Sequence, residues 1–276
     1  MSNQTSPNNR LENDKSTVGS RQRVSLRLAA SNPLITVLLL VVLFFLLIAR
    51  LNAPEDAVLQ ALGVGGESTL RAGYYRIMTA LLLTALPRGG DLWWAAGHVI
   101  LNFYTLYIVG VSTERIWGSA RFGLLYLLGG ATGATLTLLL VPLNWLAADR
   151  VLSGAVYGVL ALVAGELVYL YKHRRLYRAQ GNLRRNYLIG LAVLNGVVGL
   201  FLPQQVSWLG MLGGLAGGAL LAAFISPLHM PRPHPTEAGV LQGEDINPLR
   251  ARLIFLALYI TGVLGLVLIS LALMSR

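Results

Sequence analysis

Long apolar runs recur along this chain, and they constrain its fold more than any other feature of the sequence. A helix of about 20 apolar residues crosses the roughly 30 Å hydrocarbon core of a bilayer. Runs of suitable length occur at residues 34–49, 92–111, 121–141, 152–171, 186–202, 207–226 and 253–273. Inside lipid only helices and closed barrels satisfy their own backbone hydrogen bonds. The sequence therefore predicts an all-α polytopic membrane protein with seven spanning helices.

Polar segments divide the chain into regions. Residues 1–31 are polar and basic, and a disordered tail is expected there. A membrane core of six helices is predicted at 32–227, with an interfacial connection at 51–91. A Pro-rich linker at 228–250 then leads to an appended seventh helix within 251–276.

The distribution of basic residues predicts the orientation. If the N-terminus lies in the cytoplasm, 16 of the 22 Lys and Arg residues fall in segments on the cytoplasmic side. The positive-inside rule therefore places the N-terminus in the cytoplasm, and an integral protein of the plasma (inner) membrane is expected. The net charge of +10 is then explained by anionic lipid headgroups, and no nucleic-acid partner is predicted. There are no cysteines, which excludes thiolate metal sites, and no cofactor is predicted.

Two polar side chains lie one turn apart in the second run. His98 and Asn102 are four residues apart and therefore share a helix face. Polar groups are unfavourable in hydrocarbon and normally point into the helix bundle. They could bond to a neighbouring helix, or their N–H groups could converge to hold an oxyanion.

A serine and two sets of glycines mark the fourth and sixth runs. Ser153 stands near the start of the fourth run, and Gly154 and Gly158 follow on one helix face. A similar face in the sixth run carries Gly210, Gly214 and Gly218. Glycine faces allow close helix contact, so the two are predicted to pack together. Taken alone, Ser153 could equally bond to a carbonyl of the preceding turn.

Charged residues are few and lie near the ends of the runs. Arg76 follows two tyrosines, a sequence that suits the membrane interface. Glu114 and Arg115 are expected in a charged turn, as a local ion pair or in a functional role. Glu166 is expected to lean towards the membrane surface beside a basic loop at 172–185.

Taken together, these motifs resemble the rhomboid superfamily of intramembrane serine proteases over residues 34–227. The shared elements, in chain order, are Tyr75-Arg76, His98 with Asn102, Glu114-Arg115, VLSGAVYG at 151–158 and GMLGGLAGG at 210–218. The resemblance implies a six-helix rhomboid-like bundle, here with one C-terminal transmembrane helix added. It also implies that Ser153 stands at the nucleophile position, that His98 and Asn102 line an oxyanion hole, and that Tyr157 packs against a catalytic histidine.

The catalytic histidine of the family is replaced in this chain. Its position, set by Gly214 and Gly218, falls on Met211, and Val151 replaces the first glycine of the serine motif. A thioether has no proton chemistry at neutral pH, so the general base is missing. The sequence favours a rhomboid pseudoprotease that binds transmembrane segments of client proteins. The alternatives are an active serine endopeptidase that uses Ser153, with His98 recruited as base, and a transporter or channel.

Overall fold

The computed structural model describes residues 26–28, 32–54, 57–65, 69, 73–86, 92–140, 143, 150–233 and 241–274. The helices are α1 (Leu34–Asn52), α2 (Ala57–Leu62), α3 (Arg76–Thr79), α4 (Leu92–Trp117), α5 (Ser119–Leu139), α6 (Ala155–Lys172), α7 (Arg174–Leu200), α8 (Trp208–Ile225) and α9 (Leu253–Met274). Short 3₁₀ helices lie at Ala80–Leu82 and Leu249–Arg252, and the strands are β1 (Leu26–Leu28), β2 (His229–Pro233) and β3 (Leu241–Asp245).

Six helical segments in the described part are long and apolar enough to cross a membrane. They are α1, α4, α5, α6, α8 and the segment Leu249–Leu273, which includes α9. The prediction of an all-α, multi-pass integral membrane protein is therefore confirmed. The further predicted span at 186–202 lies in α7, whose first half is rich in arginine, and it stays a prediction.

The centre of the bundle is built from α5, α6 and α8, which pack against one another at glycines. A Cβ atom on Gly214 of α8 would lie 2.4 Å from the carbonyl oxygen of Tyr157, and one on Gly218 would lie 2.3 Å from that of Ala161. On α5, a Cβ atom on Gly133 would lie 2.3 Å from the Gly210 carbonyl oxygen. Side chains at these positions would separate the helices, so the glycines are what permits the packing.

The predicted pairing of the two glycine faces is wrong for α6. The α8 glycines do pack on α6, but against Tyr157 and Ala161 rather than against Gly154 and Gly158. A Cβ atom on Gly158 would instead meet the Tyr126 ring of α5 at 2.6 Å. Successive residues on a helix point about 100° apart, so the glycine face of α6 is turned one residue away from α8.

The segment at 73–86, predicted as part of an interfacial connection, is exposed at its start and buried in the protein at its end. Tyr74 and Tyr75 are about half exposed, as expected at an interface. Residues 80–86, however, are buried almost throughout, and Tyr126 Oη donates a hydrogen bond of 2.7 Å to the Leu81 carbonyl. The apolar residues at 80–86 are thus covered by protein contacts.

Two predicted loops are helical. The charged pair Glu114-Arg115 lies within α4, and the Glu114 carboxylate accepts hydrogen bonds from Ile35 N, Thr36 N, Thr36 Oγ1 and Ser119 Oγ at 2.6–3.0 Å. Glu114 therefore caps the N-terminus of α1. The basic loop predicted at 172–185 is also helix, because α7 begins at Arg174 and only His173 separates it from α6. Arginine, leucine and alanine are good helix formers, so charge alone was a poor signal for a loop.

A small three-stranded sheet is formed by β1, which precedes α1 in the chain, and by β2 and β3, which follow α8. Its strand order is β1-β3-β2, with β1 parallel and β2 antiparallel to β3. Strand β1 lies within the tail that was predicted to be disordered, and β2 and β3 lie within the predicted linker. Residues 1–25, 29–31 and 234–240 of these regions lie outside the described residues.

Candidate active site

Ser153 lies in an extended segment just before α6 rather than inside the helix. Leu152 pairs with Val64 through two backbone hydrogen bonds of 2.7 and 3.0 Å. Gly154 N donates to the Ala80 carbonyl at 2.9 Å, and Ala155 N donates to Leu83 at 3.0 Å. These bonds on both sides of Ser153 fix its backbone, and the side chain is buried.

The serine is held by a carbonyl from the loop between α7 and α8. Ser153 N and Ser153 Oγ donate to the Gln205 carbonyl oxygen at 2.9 and 3.0 Å. The Gln205 side chain in turn bonds the backbone of Leu86, with Nε2 donating to the carbonyl at 3.1 Å. Sequence reasoning did not find Gln205. The only signal was that Gln204 and Gln205 are polar residues between two apolar runs.

His98 and Asn102 lie on one face of α4 and are almost completely buried, at 1% and 2% exposure. Among the described residues, none donates to or accepts from a side-chain nitrogen or oxygen of either residue. The expected alternative, a hydrogen bond to a neighbouring helix, is therefore not found within the described part of the chain. An unsatisfied buried polar group costs about 1–3 kcal/mol, so these groups are suited to a ligand oxygen.

Met211 occupies α8 and faces α7. Its sulfur lies against Gly199 of α7, where a Cβ atom would be 2.7 Å from it, and the residue is 5% exposed. The Tyr157 ring packs on Gly210 instead, where a Cβ atom would be 2.5 Å from Cζ. The resemblance implied contact between Tyr157 and position 211, and that contact stays a prediction.

Tyr157 connects the serine segment to the start of α8. Its hydroxyl accepts a hydrogen bond of 3.0 Å from Ser207 N. Ser207 is also the N-cap of α8, because its Oγ accepts from Gly210 N at 3.2 Å. Tyr157 therefore positions the loop that carries Gln205 as well as the helix that carries Met211.

The remaining predicted residues lie in α3 and at the end of α4. Arg76 is half-buried, with its side chain over Gly73. Glu114 and Arg115 lie in the last turns of α4, sixteen or more residues beyond His98, which is about 24 Å along a helix axis.

The two other described histidines lie away from Ser153. His173 and His229 both contact Tyr169 in the last turn of α6, at the opposite end of that helix from Ser153. His234 lies outside the described residues. In the part of the chain that the structure describes, the Gln205 carbonyl is the only hydrogen-bond partner of Ser153 Oγ.

Comparison with known proteins gives a consistent family. The Rhomboid domain model matches residues 92–228, a shorter stretch than the predicted 34–227. The chain is 29% identical to Rhomboid protease GluP of Bacillus subtilis over 186 residues, which cover 66% of this chain and 32% of that protein. It is 29% identical over 159 residues to RHOMBOID-like protein 4 of Arabidopsis thaliana, covering 56% of this chain and 36% of that protein.

A third relative gives a similar picture. RHOMBOID-like protein 1 of Arabidopsis thaliana is 32% identical over 137 residues, covering 47% of this chain and 32% of the relative. The chain thus spans about a third of the length of the curated relatives it matches.

Proposed function

This chain belongs to the rhomboid superfamily, and from that premise we propose that it binds transmembrane helices of other membrane proteins in the bilayer without cleaving them. The observation that carries the proposal is the partner of Ser153. Its hydroxyl donates to a backbone carbonyl, and the position of the family's base is a methionine whose sulfur lies against Gly199.

The missing base decides between binding and cleavage. A serine hydroxyl is a poor nucleophile without an adjacent base. In a serine protease, loss of the base alone lowers turnover by about 10⁶-fold, or roughly 8 kcal/mol in the activation free energy. The buried donors of His98 and Asn102, which support binding, do not depend on that base.

The unsatisfied pair on α4 supports a binding role. His98 and Asn102 keep buried donors that a carbonyl oxygen of a client segment would satisfy. A cavity of about 230 Å³, lined by Arg150, Leu152, Ser207 and Trp208 among others, adjoins the serine segment. A client helix that unwinds locally would present such a carbonyl to the buried pair.

Orientation and location belong to the same proposal. We place the N-terminus in the cytoplasm of a plasma (inner) membrane, with basic segments against anionic headgroups and no nucleic-acid partner. Because the chain has no cysteine, a single introduced cysteine is the only thiol of the protein that a maleimide can label. A membrane-impermeant maleimide should label Ser68→Cys but not Ser6→Cys in intact cells. The reverse pattern would overturn the orientation.

An active serine endopeptidase is the second candidate. It is favoured by the name of the relative Rhomboid protease GluP and by the unsatisfied donors of His98 and Asn102, which suit an oxyanion hole. Recruitment of His98 as base would require one imidazole to act both as oxyanion donor and as proton acceptor.

Labelling with a fluorophosphonate serine-hydrolase probe separates the two candidates. We expect no labelling of the purified native chain and labelling of Met211→His, which restores a base. Ser153→Ala in each background is the control for attachment at Ser153. Labelling of the native chain that disappears in Ser153→Ala would show an activated serine and overturn the pseudoprotease.

A further inference from the structure

Three aromatic rings meet where α6, α7 and β2 come together, at the end of α6 opposite Ser153. The His173 ring lies 4.2 Å from the Tyr169 ring, centroid to centroid, at an interplanar angle of 33°. The His229 ring lies 5.9 Å from the His173 ring and 6.0 Å from that of Tyr169. His173 occupies the single residue between two helices and is 4% exposed.

The hydrogen bonds of His173 define its protonation state. His229 N donates to His173 Nε2 at 3.2 Å, and a backbone N–H can only donate. Nε2 must therefore carry a lone pair. His173 Nδ1 lies 2.9 Å from the Tyr169 carbonyl oxygen, which can only accept, so Nδ1 carries the hydrogen. The geometry thus requires the neutral Nδ1–H tautomer.

These bonds attach the sheet to the helices. His229 is the first residue of β2, and Tyr169 Oη bonds to His229 Nδ1 at 3.1 Å. Strand β2 pairs with β3, and β3 pairs with β1. A second attachment is the Arg121–Asp245 ion pair of 2.7 Å, which joins α5 to the end of β3.

We infer that His173 is an acid-sensitive clamp, in which protonation of Nε2 places a donor opposite the His229 N–H and releases the start of β2 from the α6–α7 corner. The clamp is independent of the chemistry at Ser153, and it regulates how the sheet is held on the helix bundle.

The charged groups around the clamp come from every neighbouring element. They are Arg115 on α4, Lys172 on α6, Arg174 on α7, Arg121 on α5, His229 on β2, Asp245 on β3 and Arg252 before α9. Helix α8 carries no charged residue. Most of these groups are cations, which oppose a further positive charge at His173.

The pKa of His173 is lowered, chiefly by burial and also by Lys172, while the hydrogen bond to Tyr169 and the charge of Asp245 act in the opposite direction. When the folded pKa of a histidine lies below its unfolded value of about 6.5, the clamped state is fully stable above that pH. Its stability falls as the pH drops below about 6.5, because the released histidine takes up the proton.

Asp245 does not share this behaviour. Burial raises its pKa, but hydrogen bonds from Asn247 N and Leu228 N and the Arg121 charge outweigh burial, so the pKa lies below its usual range. The carboxylate therefore stays ionised at pH 5.5, and the Arg121–Asp245 attachment is retained while the histidine clamp opens.

Hydrogen exchange followed by mass spectrometry on the full-length protein in nanodiscs tests the clamp. After correction for intrinsic exchange rates, protection of amides in 227–233 should fall by up to about tenfold from pH 7.5 to 5.5. In His173→Gln, which cannot gain a charge, this change should shrink to the part contributed by His229, whose pKa is also lowered, chiefly by burial. In His229→Gln the change should persist, since the backbone donor to His173 remains. Equal loss of protection in His173→Gln, or no loss in the native chain, would overturn the inference.

Histidine NMR gives a second measurement that does not depend on a variant folding. In native protein labelled with ¹³C and ¹⁵N at histidine, the His173 ring should show the Nδ1–H tautomer at pH 7.5. Its Nε2 should become protonated only at a lower pH than that at which protection begins to fall, because the pKa of the clamped ring is lowered. An Nε2–H tautomer at pH 7.5 would contradict the hydrogen bond from His229 N and overturn the clamp.

Discussion

Two buried polar clusters of the helix bundle have opposite environments. On α4, the imidazole of His98 and the amide of Asn102 are buried without a partner among the described residues. Where α4, α6 and α7 meet, the Glu166 carboxylate accepts from Arg184 Nε at 2.7 Å, from Arg184 Nη2 at 3.0 Å and from Ser112 Oγ at 2.9 Å. The paired cluster stabilises the fold, and the unpaired cluster is suited to an incoming ligand.

The largest expected effect comes from a substitution in the paired cluster around Glu166. Glu166→Gln leaves Arg184 without its counter-charge beside α4 and α6, and removal of one partner from a buried pair costs about 3–5 kcal/mol. A large fall in the thermal unfolding midpoint in detergent is expected. The exposed Arg232–Glu244 pair is the matched control, because Glu244→Gln at the surface should cost no more than about 1 kcal/mol. Equal effects of the two variants would contradict the assignment of Glu166 as a structural group.

That pairing also shows what the sequence could not predict. Glu166 was expected to lean towards the surface because basic residues follow it at 172–175, yet its partner is Arg184, eighteen residues away on the next helix. Apolar runs predicted where most helices begin and end to within three residues, since hydrocarbon thickness sets their length. The exceptions are α4, which ends six residues later than its run, and α7, which begins twelve residues before its run. Charges were wrongly interpreted as loops, because a sequence pattern does not show which charges are neutralised inside the bundle.

The candidate site was predictable only in part. The types and spacing of His98, Asn102 and Ser153 were visible in the sequence, and so was the methionine at position 211. The bonds from Ser153 N and Oγ to the Gln205 carbonyl were not, because they join residues 52 apart and any residue at 205 has a carbonyl. Such contacts depend on the path of the loop rather than on residue type.

The second prediction tests the packing of the Gly214 backbone of α8 against α6. Gly214→Leu would force a side chain into the Tyr157 backbone, so a loss of about 1–3 kcal/mol in the free energy of unfolding is expected. Gly262→Leu is the matched control, since a Cβ atom at Gly262 of α9 meets nothing within 4 Å. An unchanged unfolding midpoint in Gly214→Leu would argue against close packing of α6 and α8.

The third prediction uses two buried asparagines, of which Asn195 has a bonded Nδ2 and an unpartnered Oδ1, whereas neither side-chain polar atom of Asn102 has a partner among the described residues. Asn102→Leu removes an unsatisfied amide from α4 and should stabilise the protein by up to about 1 kcal/mol. Asn195 is also buried, but its Nδ2 donates to Thr105 Oγ1 at 3.1 Å and to the Leu191 carbonyl at 2.8 Å. Asn195→Leu should therefore destabilise the protein by roughly 1 kcal/mol. The same sign for both variants would remove the distinction between the two environments.

The smallest expected effect concerns Ser153 itself. Ser153→Ala removes the 3.0 Å bond from Oγ but keeps the backbone bond to Gln205, so a loss of no more than about 1 kcal/mol is expected. If the protein binds clients without cleaving them, the yield of co-purified membrane proteins should not change in Ser153→Ala. The yield should fall in Asn102→Leu, which removes the amide donor from the unpaired cluster on α4. A large loss of clients in Ser153→Ala at unchanged stability would show that the hydroxyl itself engages the client, and the scaffold role would then be wrong.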